Sequence, residues 1–340
     1  MKTSIKFLCW GCLAVAALVC GIMIGSVYVA PDQLWGIIAN KLVGTPLPDG
    51  INPSFPTMVL NIRLPRVLMA FLAGAALSMC GTVMQSVLQN PLASPFGLGI
   101  SAGAGLGAAL VIVTGFSVGI LGTFFMPLVS LTFSVGTVVL VILFASRLDR
   151  NMSNTTIILI GMVLSLFLNA IMSTLSALSP TYSQRISLWQ LGSFSSQTWS
   201  NVLVLLFATV LCLIFFLRHG REMDVMTFGE ERALSLGVEL KHTKRLLIGA
   251  VAVLTGIAVS FVGIIGFVDL IAPHVTRRFF GAAHRRVLPA SALFGGTFMV
   301  LCDLAARTLW APREIPIGSI TALLGAPFFI YIYFCKHKGA

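Results

Sequence analysis

Charge is what this sequence has least of. Only 10% of its 340 residues are Asp, Glu, Lys or Arg, against roughly a quarter in ordinary soluble domains. The shortage excludes a water-soluble globular chain, and with 57% hydrophobic residues the bilayer becomes the main solvent. A Gly-Lys step is also missing, so there is no P-loop, whose backbone amides and lysine must cradle phosphates. ATP can drive this chain only from another one. No H-E-x-x-H or equivalent pair joins His219, His242, His274, His284 and His337, which removes a membrane-metalloprotease reading. The cysteines lack pattern: Cys9 and Cys12 form C-x-x-C inside an apolar run, and Cys20, Cys80, Cys212, Cys302 and Cys335 fall at no ligand spacing. Apolar packing is the expected role, with neither a disulfide nor a structural metal.

The few charges are bunched, leaving charge-free runs at 7–29, 67–146, 151–184, 186–217, 246–268, 287–302 and 315–335. Most of these hold the roughly 20 apolar residues of a spanning helix. Gly/Pro interruptions near 90–99 and 115–127 divide the longest run into three. Ten spans are expected, near 7–29, 64–86, 98–115, 121–145, 155–176, 201–217, 246–262, 266–280, 287–306 and 316–334. Helices are the only spanning form available, because unpaired backbone in hydrocarbon is too costly and the runs are too long for barrel strands. Lys2 and Lys6 ahead of the first run resemble a signal peptide, and Leu18-Val19-Cys20 loosely resembles a lipoprotein box. The run at 7–29 outlasts a usual signal core, so an uncleaved first helix is expected.

Orientation follows from Lys and Arg. With the N-terminus inside, sixteen fall on inner segments: Lys2, Lys6, Arg147, Arg150, Arg218, Arg221, Arg232, Lys241, Lys244, Arg245, Arg277, Arg278, Arg285, Arg286, Lys336 and Lys338. Six fall outside: Lys41, Arg63, Arg66, Arg185, Arg307 and Arg313. This positive-inside bias also fixes the count at ten. The net charge of +11 therefore reads as topology rather than nucleic-acid binding.

An ion-gradient drive would leave acids deep in the spans, where each costs about 3 kcal/mol. Two candidates exist. Asp303 lies four residues before Arg307 and can pair with it on one helical face. Asp269 interrupts the start of the eighth span, near its outer end; a cation ligand is one reading, a first-turn helix-stabilising acid the commoner one.

The most charged loop runs from 218 to 245. Within it, residues 228–237 read as a short helix, with Glu230 and Glu231 at the positive end and Gly237 as a left-handed stop. Ala233, Leu234 and Leu236 give it a small and apolar face, suited either to a partner or to the lipid interface.

Several motifs follow one another in order: Arg63-Leu-Pro-Arg66, Ala73-Gly-Ala-Ala-Leu77, Gly81-x-x-x-Gln85, Asn90-Pro-Leu-Ala93 and Gly97-x-x-x-Ser101-x-Gly103-Ala104. Further on come Glu231-x-Ala-x-x-x-Gly237, Gly266-Phe267, Ala272-Pro-His274, Arg277, Glu314-Ile-Pro-Ile-Gly318 and Leu324-Gly-Ala-Pro327. Together they resemble the FecCD-type permeases of ABC importers for iron siderophores, haem and cobalamin, over nearly the whole chain.

The resemblance implies an all-α, polytopic type II importer permease, with residues 1–340 a single transmembrane domain. It implies a homodimer or a paralogue pair in the inner (plasma) membrane with both termini cytoplasmic. It also implies two ATPase subunits that hold ATP and Mg, and an extracytoplasmic binding protein. This chain itself would hold no cofactor. Glu230, Glu231, Arg232, Ala233, Leu234, Leu236 and Gly237 become the ATPase-coupling element. Arg63, Arg66 and Arg307 become cations for acids of the binding protein, against the alternative of headgroup contact with Arg307 tied to Asp303. Asn90, Leu92, Ser153, Asn154 and Thr155 take gate positions, which ordinary turn chemistry also explains. Asp269 departs from the small neutral residue expected there. Ferric siderophore is the first expected cargo, with haem or cobalamin next; a proton-coupled secondary transporter is the reading from another class.

Overall fold

The computed structural model describes residues 3–25, 27–47, 52–149 and 152–337. Lys2, Arg150 and Lys338, counted above for orientation, lie outside the described residues, and so does the side chain of Lys336. Among the described residues every regular element is helical.

Ten helices stand where ten spans are expected: α1 (Thr3–Met23), α3 (Leu64–Val87), α4 (Ile100–Thr114), α5 (Phe125–Leu148), α6 (Asn154–Leu178), α8 (Trp199–Arg218), α11 (Leu240–Val262), α12 (Val268–Phe280), α13 (His284–Thr308) and α14 (Ile317–His337). Four more were not foreseen as spans: α2 (Pro31–Val43), α7 (Pro180–Gln190), α9 (Gly220–Met226) and α10 (Glu230–Ser235). Asp32 and Lys41 in α2, and Arg185 in α7, break the apolar runs that would have marked them. Among the described residues, seven helices are by length and composition long and apolar enough to cross a membrane. The 15 residues of α4 and the 13 of α12 are shorter.

The bundle is organised around α3, which packs on α8, α11, α12 and α13. Its sequence is rich in Gly, Ala and Ser, and small residues let helix backbones approach closely where lipid supplies no hydrophobic drive. At Gly74 an added Cβ would stand 2.2 Å from the Gly295 carbonyl oxygen, and at Gly81 only 1.9 Å from that of Asp269. Two α3 hydroxyls are paired: Thr82 Oγ1 bonds Ser78 O at 2.9 Å and meets Ser291 Oγ at 3.1 Å, and Ser86 Oγ bonds Thr82 O at 3.1 Å. Upstream, α3 continues backwards through a π-helical stretch, Met58–Arg63, and one turn, Phe55–Thr57. Against α12 and α13, α1 seats Trp10 on Phe280 and Phe294, with centroids 5.1 and 5.5 Å apart.

The eighth span corrects the sequence reading. Residues 263–267 are not helical, and the 13 residues of α12 rise only about 20 Å, against about 30 Å of hydrocarbon. Asp269 does stand in the first turn, but in mid-bundle rather than near the outer end, buried against Gly81 of α3. Its Oδ2 accepts a hydrogen bond from Ser94 Oγ, in the loop before α4. The later part of that loop packs against protein: Pro95, Leu98 and Gly99 are buried, and a Cβ on Gly161, two turns into α6, would meet Gly97 O at 2.5 Å. Irregular backbone at such depth is tolerated because protein, not lipid, surrounds it.

Candidate functional site

At the charged-loop end, α10 is short and sharply stopped. Gly237 has φ +83°; Val238 N bonds Ala233 O and Gly237 N bonds Leu234 O, each at 3.0 Å. This is the Schellman arrangement that only a residue tolerant of the left-handed region closes without strain. Ala233 turns inward and is fully buried, whereas Leu234 and Leu236 are 59% and 70% exposed. Phe228 just upstream is exposed as well. Glu230, Glu231 and Leu234 line a groove of about 590 Å³ with Glu239, Lys241, His242 and Arg245. The expected coupling residues are therefore gathered on one short helix, with Arg232 in its last turn.

The expected gate residues form two turns. Asn90 Oδ1 accepts from Leu92 N at 2.9 Å, and its carbonyl accepts from Ala93 N at 2.9 Å; Leu92 itself is exposed. The neighbouring Gln89, at φ +50°, donates from Nε2 to Met226 O of α9 at 2.9 Å. In the second turn Ser153 N donates to Asp149 Oδ2 at 2.9 Å, and Ser153 Oγ lies 2.9 Å from Thr156 Oγ1. Thr155 is exposed, while Asn154 Oδ1 accepts from Lys244 Nζ at 2.8 Å. Both turns are thus tied to the 218–245 segment by a side chain.

A third tie was not legible in the sequence. Buried His284, the first residue of α13, places Nδ1 2.5 Å from Asp224 Oδ1 of α9 and Nε2 2.5 Å from Ser86 Oγ of α3. Burial works to raise the Asp224 pKa, but hydrogen bonds and charge from His284, with Arg286 beyond, outweigh it and hold the carboxyl below its usual range. Asp224 and Ser86 lie 60 and 198 positions from the histidine, so no local motif could announce them.

At the opposite end the structure brings Arg63, Arg66 and Arg307 together, but turned inward. Arg63 is buried and donates to Ile22 O at 2.9 Å, Met23 O at 3.1 Å and Val27 O, closing the exposed end of α1. Arg307 is buried too; it donates to Gly21 O, and its Nε forms an ion pair with Asp303 Oδ2 at 3.3 Å. Arg66 holds Asp303 through Nη2 at 2.8 Å and Nε at 3.0 Å, and Glu314 through Nη1 at 2.7 Å. The i, i+4 pair expected between Asp303 and Arg307 is present, yet Arg66 makes the shorter, hydrogen-bonded contact. Three arginines against two carboxylates leave the cluster at +1. Glu314, its most exposed member, entered the sequence reading only as part of a motif. Removing one partner of a buried pair costs about 3–5 kcal/mol. Asp303→Asn is therefore expected to lower the thermal midpoint of the detergent-purified protein well beyond Glu314→Gln at the rim.

A bundle of about ten helices with an apolar face displayed on a charged loop is the architecture of a polytopic membrane protein. The chain belongs to the FecCD transport family, whose family model matches residues 13–334. It is 40% identical over 323 residues to the uncharacterised ABC transporter permease protein YvrB of Bacillus subtilis strain 168, covering 95% of this chain and 91% of that one. It is 38% identical over 274 residues to the hemin transport system permease protein HmuU of Yersinia pestis, covering 80% and 82%. A solved structure of a metal-chelate type ABC transporter in an inward-facing conformation superposes with TM-score 0.83 at 32% identity, covering 96% of this chain and 98% of that one.

Proposed function

We propose that this permease forms the membrane path of an ATP-driven importer for a metal chelate, with ferric siderophore as first cargo and haem or cobalamin next. Two copies, or one with a paralogue, enclose the path; separate ATPase subunits supply ATP and Mg; an extracytoplasmic binding protein delivers the cargo. The termini and the 218–245 loop face the cytoplasm. The observation that carries this reading is α10: Leu234 and Leu236 stand in the open on a polar loop, which favours a protein partner, because an interface core needs such apolar anchors.

At the far end the arginine cluster receives acids of the binding protein. With Arg63 and Arg307 engaged on backbone carbonyls, Arg66 is the arginine nearest the rim, and an incoming acid reaches it by displacing Glu314. The turns at Asn90–Leu92 and at 153–155 act as the inner gate, moved through their ties to the loop.

The test is uptake into vesicles that hold the permease with its ATPase, supplied with the binding protein and a panel of ferric siderophores, haem and cobalamin. ATP-dependent accumulation of one chelate, insensitive to an uncoupler, is the expected result. Uptake that persists without ATPase and collapses with an uncoupler would assign the drive to a proton gradient instead.

A further inference from the structure

Lys244 is the one lysine whose ammonium is wholly enclosed among the described residues, with 0% side-chain exposure. It stands in the second turn of α11, and its Nζ donates to Met152 O at 3.0 Å, Asn154 Oδ1 at 2.8 Å and Glu230 Oε1 at 2.8 Å. An ammonium has three N–H donors and no acceptor, so every donor is used. The acceptors come from two segments: Met152 and Asn154 from the turn that opens α6, and Glu230 from the first residue of α10.

The three acceptors are unequal. Met152 O and Asn154 Oδ1 are neutral; only Glu230 carries the charge that balances a cation held away from water. Glu230 is also the exposed member, at 31%, whereas Met152 is fully buried. A partner that draws α10 aside would strip the carboxylate from a buried ammonium, a state the protein strongly resists. The path of least resistance is for α10, the head of α11 and the start of α6 to move together. The turn they carry is itself held in an unusual form: Met152 has φ +51°, a conformation that persists in a non-glycine residue only where its surroundings impose it. Lys244 grips that residue's own carbonyl.

We propose that Lys244 is a positioning residue that locks the α10 docking helix to the 152–154 gate turn, so that movement of one is movement of the other. The proposal rests on the docking and gate roles given above. It assigns to a lysine in no recognised motif the mechanical step between the ATPase and the path.

The experiment uses the complete transporter in vesicles, measuring both cargo uptake and ATP hydrolysis. Lys244→Met removes charge and donors; Lys244→Gln keeps a donor amide and guards against simple misfolding. For both, the ATPase is expected to co-purify and to hydrolyse ATP at its basal rate, while cargo moved per ATP falls at least tenfold. Adding Glu230→Gln to Lys244→Met should lower that ratio no further. If Lys244→Gln is folded and retains the wild-type ratio, the proposal is overturned. Leu234→Asp separates the two layers: if it blocks uptake while Lys244→Gln does not, docking stands and the Lys244 link falls; if it leaves uptake unchanged, the docking reading itself falls.

Discussion

Leu234→Asp is expected to abolish ATP-driven uptake and loss of the ATPase on purification should accompany it, with the permease still inserted at normal level. Leu234 is 59% exposed and sits on a helix whose inward contact is made by Ala233 instead. Changing it therefore removes little from the permease's own core. In the complex the same side chain becomes buried, and burying a leucine contributes about 2 kcal/mol, or about 30-fold in association. A carboxylate in that seat adds the desolvation of a charge without a partner. Leu234→Ala should show only the first of these losses and retain part of the uptake. Measured membrane level, ATPase co-purification and uptake together separate a docking defect from a folding one.

Gly81→Val is expected to remove the folded permease altogether. Its Cβ would fall 1.9 Å from the Asp269 carbonyl oxygen, where Asp269 is pinned through its side chain to Ser94. Overpacking costs about 1–3 kcal/mol where neighbours can give way; here the neighbour is the backbone of a helix wedged in mid-bundle. The same applies at Gly295, whose Cβ would meet Ser78 Oγ at 1.7 Å and Gly74 O at 2.5 Å. Gly249→Val in α11, with nothing within 4 Å of the added carbon, is the control. Size-exclusion profiles in detergent should show a folded peak for Gly249→Val and aggregate for Gly81→Val.

Helix positions were legible because they rest on one quantity, the spacing of charges, and that spacing answers directly to the bilayer. Gly237 was legible for a similarly local reason, since a left-handed stop needs only its own residue type. Depth was not: Asp269 looks terminal because it follows a glycine-rich break, and hydropathy cannot say that α12 begins inside the bundle. Nor can composition distinguish an arginine that faces solvent from one that closes a neighbouring helix, as Arg63 does at Ile22 and Met23. Lys244 and Glu230 lie only 14 residues apart, yet Asn154, which completes their node, is 90 residues away from the lysine.

The placement of α3 bears on how the protein is made. It is the second expected span to leave the ribosome, but Ser291, whose hydroxyl meets that of Thr82, follows 209 residues later. At about 5–20 residues per second, that interval is about 10–40 s. During it, the future centre of the bundle waits in lipid without its partners. Thr82 and Ser86 already bond the carbonyls of Ser78 and Thr82 within their own helix, so these hydroxyls need no outside acceptor while they wait. The same side chains that later stitch α3 to α13 make its nascent form compatible with hydrocarbon.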